Sequence, residues 1–151
     1  MSRARQIQSS ISPRVKRTPE GGLVVLMTNK TGAVSVKGTV VTTSDTYDNA
    51  FTVQTAEFEA AGIVYDSGVP DGSECWVVTS GIAEVLMKDG IAPVRGDWTK
   101  CADTDGRAES TTPPTGIGAL STSEHFKEIG HCLESKSAGT DVLAKVLLHF
   151  N

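Results

Sequence analysis

The apolar positions of this chain come in short runs, many alternating with polar ones, and each run stops at a cluster of Gly, Pro, Asn, Asp or Ser. Period-two alternation puts successive side chains on opposite faces of an extended backbone, so the pattern predicts short strands rather than helices. Gly22 to Thr28 is apolar on both faces through Leu23, Val24, Val25, Leu26 and Met27, and Asn29-Lys30-Thr31-Gly32 ends it as a turn. Ala33 to Thr42 alternates next, with Val34 and Val36 on one face and Gly38 marking a bulge or bend that re-registers Val40. A polar loop from Ser44 to Asn49 leads to a third strand, Phe51 to Thr55.

The stretch Ala56 to Ala61 is ambiguous, being long enough for one helical turn but too short to be stable alone. Gly62 to Tyr65 reads as a strand closed by Asp66-Ser67-Gly68 and Pro70-Asp71-Gly72. The strongest β signal follows: Cys75 to Thr79 and Ile82 to Met87, separated by Ser80-Gly81, with Asp89-Gly90 supplying a dipeptide favoured in tight hairpins. Trp98 to Cys101 is a short or edge strand, and 109–123, rich in Pro, Gly, Thr and Ser, is a long surface loop anchored by Ile117 or Leu120. Ile129 to Glu134 and Val142 to Phe150 close the pattern. The latter places Val142, Ala144, Val146, Leu148 and Phe150 on one face and Leu143, Lys145, Leu147 and His149 on the other. With no crossover helix between strands, the fold class is all-β: a small antiparallel β-barrel or sandwich with an extended N-terminal arm.

Charge adds the arm. Residues 1–20 hold Arg3, Arg5, Arg14, Lys16 and Arg17, five of the chain's 14 Lys and Arg, but only Glu20 of its 18 Asp and Glu. A basic arm, 1–20, therefore precedes an acidic β-rich domain, 21–151. The arm has too little apolar surface to order itself, so it is expected either to order on a partner or to remain a disordered tail. It lacks the aromatic interleaving of a nucleic-acid binder and the body repels phosphate, so an acidic protein surface is the expected partner rather than nucleic acid. No apolar run is long enough to span a membrane and no secretory signal opens the chain, so neither membrane attachment nor export is expected.

Little catalytic or metal chemistry is legible. Cys75, Cys101 and Cys132 are odd in number, widely spaced and without a CxxC pair, and read as reduced thiols. His125, His131 and His149 could in principle join the cysteines in a metal site, but the adjacent His131 and Cys132 would point to opposite faces of a strand and so would not share an ion without a bulge, and no metal or cofactor is expected. Asp103-x-Asp105-Gly106 opens like a calcium loop, yet Pro114 stands where a bidentate Glu is needed, and a β-turn is the better reading. Arg95-Gly96-Asp97 also reads as a turn. No GxSxG elbow, phosphate loop or dinucleotide fingerprint is present, and the chain is expected not to be an enzyme. Of the two tryptophans, Trp76 is expected in the core and Trp98, beside Asp97 and Lys100, at a rim or subunit interface.

The second half, roughly 62–151, carries a rhythm of strands and glycines: Gly81 to Leu86, Gly96-Asp97, Asp105 to Ala108, Ile129 to Glu134, Gly139 and Lys145 to Leu148. This rhythm resembles the capsid decoration, or cement, proteins of tailed phages. The resemblance implies a structural virion protein without active-site residues, made in the host cytoplasm. It also implies a likeness in assembly: a homotrimer bound to the major capsid protein on the capsid exterior, stabilising the head. Arg3, Arg5, Arg14, Lys16, Arg17 and Trp98 are then the expected capsid or subunit contacts. Alternatives are another virion part (tail tube, head completion or head fibre) and, from a different class, a small β-barrel enzyme or ligand-binding module, marked by a deep pocket of converging His, Asp and Ser.

Overall fold

The computed structural model describes residues 14–55, 59–113 and 122–150. In chain order the strands are β1 (Val15–Arg17), β2 (Gly22–Asn29), β3 (Val40–Thr43), β4 (Ala50–Val53), β5 (Gly62–Val64), β6 (Glu74–Leu86), β7 (Trp98–Cys101) and β8 (Ala108–Thr111). One helical turn, α1 (Thr122–His125), precedes β9 (Glu128–Cys132) and β10 (Leu143–Leu148). The fold is all-β, and every strand pairing is antiparallel except β2 with β4. Among the described residues no helix is long and apolar enough to cross a membrane.

Two curled sheets share β6. In the first, β2, β4, β3, β5 and β6 pair in succession and β6 returns to β2, which closes a ring of strands. A closed ring removes sheet edges that would otherwise present unpaired backbone. Beyond the ring β6 pairs with β10, followed by β9, β7 and β8. A parallel bridge from Met87 to Ala108 then brings β8 back toward the end of β6.

The switch from one sheet to the other happens at Ser80-Gly81. Leu23 lies opposite Ser80 but Val24 lies opposite Val78, so Thr79 is an extra, unpaired residue in a β-bulge. The dipeptide expected to separate two strands therefore bends one long strand instead. Gly81 has φ +77, and a Cβ there would sit 2.3 Å from the Gly21 carbonyl oxygen, so no other residue fits this crossing. The bulge also reverses the side-chain faces. Cys75 and Val77 pack with Val41, Phe51 and Val64 in one apolar cluster, whereas Val78, Ala83 and Val85 join Met87, Ile129, Ala144 and Val146 in another.

Several expectations hold closely. β7 matches its forecast span, β2 runs one residue past its own to Asn29, and β10 buries Ala144 and Val146 completely while Leu147 stays 46% exposed, as its alternation requires. Asp105-Gly106 and Gly96-Asp97 are turns, closed by Arg107 N donating to Thr104 O at 3.2 Å and Asp97 N to Val94 O at 3.0 Å.

Others are corrected. Residues 33–39 are irregular, with Val34 and Val36 more than half exposed. Their backbone is held by scattered bonds to neighbouring backbone, Ser35 N to Val69 O and Gly38 N to Val64 O among them, and by side chains, rather than by a regular ladder. Asn29 Nδ2 donates to Ala33 O and Val69 O, and Ser35 Oγ donates to Asp66 O while accepting from Val69 N. Gly38 lies in a turn whose carbonyl accepts from Leu86 N at 2.9 Å, not in a strand bulge. Asp89-Gly90 turns the chain through the bond of Ile91 N to Lys88 O, but β6 and β7 on either side do not pair, so no hairpin forms. β7 is flanked by β8 and β9 and is no edge. The start of the expected 109–123 loop belongs to β8. The ambiguous stretch at 56–61 and the anchors Ile117 and Leu120 fall wholly or partly outside the described residues.

Candidate functional site

Of the basic residues expected to bind a partner, Arg3 and Arg5 lie outside the described residues, and Arg14, Lys16 and Arg17 stand on or beside β1. This short strand pairs with β2 through Val15↔Val25, Lys16↔Val24 and Arg17↔Leu23. Its other side pairs with no strand among the described residues. Arg14 reaches Glu74 at 3.2 Å, both side chains about half exposed, and also donates to Leu26 O at 3.3 Å. Lys16 Nζ sits 4.7 Å from the centre of the Trp76 ring. Arg17 is exposed and borders an open groove of about 470 Å³ with Thr18, Gly22, Leu23, Ser80 and Gly81. That groove is floored by the glycine crossing and brings together no histidine or carboxylate.

Of the two tryptophans, Trp76 packs against the core as expected but only partly buried, and Trp98, expected at a rim, is buried. Trp98 is 5% exposed because β7 is an interior strand, so its ring has little surface to offer a partner. Beside it Lys100 bridges Glu109 at 3.5 Å and Glu124 at 3.2 Å. Trp76, expected in the core, is only partly buried and stacks under Lys16, an arrangement worth roughly 0.5–1 kcal/mol at an exposed site.

All three cysteines are free thiols and buried. Burial pushes the Cys101 thiol up to about 11 and raises those of Cys75 and Cys132 as well. Thiols held protonated are poor nucleophiles and poor metal ligands. His131 and Cys132 point apart as expected, the first exposed and the second 2% exposed.

Among the described residues, Glu128, His131 and His149 bring together side chains able to ligate a metal, with donor atoms all within 4.8 Å of one another. Glu128 is buried, and its Oε1 lies 3.2 Å from His149 Nδ1 and 3.8 Å from His131 Nε2. The imidazoles stack at 6.5 Å between centres with planes 20° apart. Residues 128 and 131 should face opposite sides of a regular strand. A bulge brings them together: Thr99 lies opposite Gly130 and Lys100 opposite Glu128, leaving Ile129 as the extra residue. A Cβ on Gly130 would come within 1.9 Å of the Leu147 carbonyl oxygen, so the close approach of β9 to β10 requires glycine. His149 is then set by its own N donating to Ile129 O at 2.7 Å, just past β10. Sequence reasoning weighed the histidines only as partners of the cysteines and tested His131 against its neighbour Cys132, so it missed Glu128 and with it this group. The one available signal was Gly130 inside a strand pattern, a marker of bulges.

No protein-family model matches the chain, and no curated protein does. Among solved structures, the head fiber gp8.5 N base in bacteriophage phi29 is similar, with a TM-score of 0.55 and 15% identity, covering 83% of this chain and 94% of that one. At that identity the likeness is one of fold: this chain folds like the base of a phage head fibre.

Proposed function

We propose that this chain is a non-enzymatic structural component of a tailed-phage virion, a base that seats on the outside of the head as the head-fibre alternative describes. The observation that carries this reading is a shared fold spanning 94% of the phi29 head fiber base, in a chain whose strand-and-glycine rhythm independently resembles phage capsid decoration proteins. β1 supports it. A short edge strand bearing Lys16 and Arg17, preceded by Arg3 and Arg5, suits attachment by strand addition and charge to an acidic protein surface. The protonated, buried thiols and the groove without histidine or carboxylate offer no support to the enzyme alternative.

In this reading the partners are the major capsid protein and further copies of the chain, a trimer being the expected assembly. Repetition on a lattice converts weak single contacts into firm attachment. The test is co-sedimentation of the full chain with phage heads that lack it, followed by electron microscopy of the decorated particles. Saturable sedimentation with heads is expected, and a chain that stays in the supernatant overturns the proposal. Density at isolated projecting fibres assigns the head-fibre role, whereas density over every three-fold position assigns the cement role. Removing residues 2–13, which leaves β1 in place, is expected to weaken head binding; undiminished binding removes the arm from the attachment.

A further inference from the structure

We infer that Glu128, His131 and His149 form a binding site for a divalent transition-metal ion of the zinc class, independently of the virion role. The donor set fits. Two imidazole nitrogens with one carboxylate oxygen suit Zn²⁺, whereas Ca²⁺ and Mg²⁺ take oxygen ligands. The spacing fits too. A tetrahedral ion with bonds of about 2.0–2.2 Å holds its donors roughly 3.3–3.6 Å apart. The two distances from Glu128 Oε1, 3.2 and 3.8 Å, bracket that edge length, and the third pair lies within 4.8 Å.

The site is built on fixed backbone and finished by side chains free to adjust. Glu128, whose side chain is 10% exposed, is set by the Ile129 bulge, and β9 and β10 are locked by the pairings Val146↔Cys132, Leu147↔His131 and Leu148↔Gly130. The two imidazoles are exposed, so rotations about their own bonds can close the nitrogen pair without moving a strand. Lys100, which lies opposite Glu128 in the ladder, directs its ammonium to Glu109 and Glu124. A bound ion would tie β9 to the end of β10 from the solvent side, and three protein donors leave a fourth position for water.

A hydrogen-bonded Glu–His–His surface cluster that binds no ion is the competing account, and metal titration separates the two. The untagged full chain, stripped with chelator and kept reduced, is titrated with zinc chloride by calorimetry and with Co²⁺ by visible absorption. One ion per chain is expected, with tetrahedral Co²⁺ bands and no thiolate charge-transfer band. His131→Ala and His149→Ala are each expected to weaken binding at least about tenfold, as is Glu128→Gln, while His125→Ala leaves it unchanged. Because both histidines are exposed, their variants are expected to keep the wild-type melting temperature without metal and to lose the rise that zinc gives the parent protein. Absence of saturable zinc binding overturns the inference. So does a thiolate band, or equal affinity in the His131→Ala/His149→Ala double variant, since either would put the ion elsewhere.

Discussion

Asn29 anchors the start of the irregular segment that follows β2, and replacing it measures how firmly. Its side chain is fully buried and makes four hydrogen bonds: Nδ2 donates to Ala33 O at 2.9 Å and Val69 O at 3.0 Å, and Oδ1 accepts from Thr31 N at 3.0 Å and Thr31 Oγ1 at 2.7 Å. A buried hydrogen bond contributes about 1 kcal/mol net, and stranding its partner costs about 1–3 kcal/mol. Ala33 and Thr31 lie near water and can be re-solvated, which trims the total, so Asn29→Ala is expected to cost about 3 kcal/mol. With a urea slope of about 2 kcal/mol per molar, the unfolding midpoint falls by about 1.5 M at unchanged slope. Asn29→Asp sharpens the argument. It keeps the acceptor toward Thr31 but turns the donor into a carboxylate oxygen aimed at two carbonyls, so at neutral pH it should be the less stable of the two. A loss under about 1 kcal/mol for the alanine variant, or an aspartate variant as stable as wild type, would refute the assigned network.

Two further outcomes follow from packing and burial. Gly130→Ala places a Cβ against the Leu147 carbonyl and should part β9 from β10, costing more than about 3 kcal/mol by thermal unfolding. Gly139→Ala, whose Cβ would meet Val142 Cγ2 at 3.3 Å, should stay within about 1 kcal/mol of wild type. Burial raises the Cys101 thiol from 9.0 to about 11, so the folded state holds its proton more tightly than the unfolded chain. Its stabilising effect is complete below about pH 9 and is lost as pH climbs toward 11, a loss on the order of 3 kcal/mol. Urea midpoints at about pH 8 and about pH 10.5 should therefore diverge less in Cys101→Ala than in wild type, and equal divergence would dismiss the thiol as the cause.

What the sequence made legible was local. β10 could be read because its apolar pattern is the pattern of its burial, a two-residue period that survives any choice of partner, while β2 and β7 could be read as short runs of strand-favouring residues bounded by turn composition. β1 and β8 escaped because an edge strand rich in Lys, Arg, Glu and Ser has no apolar face to announce it. Ser80-Gly81 has the composition of a turn, and only the proximity of Gly21 across the ring, distant in sequence, shows that it bends a continuous strand. The parallel pairing of β2 with β4 and the sharing of β6 are likewise contacts between remote segments, which no local period encodes. The Glu128 group fell in the same gap: its members come from two strands, and the bulge that aligns them reverses the faces that alternation assigns.

The same geometry bears on how the basic segment would engage a partner. Arg14 and Lys16 are already occupied by Glu74 and by the face of Trp76, so they are not loose charges awaiting a capsid. Yet the Arg14–Glu74 pair is half exposed on both sides, and such pairs contribute only about 0–1 kcal/mol. A carboxylate on a partner can therefore take Glu74's place at little cost, and the exchange leaves the backbone bond from Leu26 N to Arg14 O intact. Trp76 offers the opposite case. Withdrawing Lys16 would bare an indole that the fold leaves only partly covered, so a partner recruiting that ammonium must also cover the ring. In the proposed role, charge alone would draw the segment to a surface, and an apolar contact over Trp76 would be needed to hold it there.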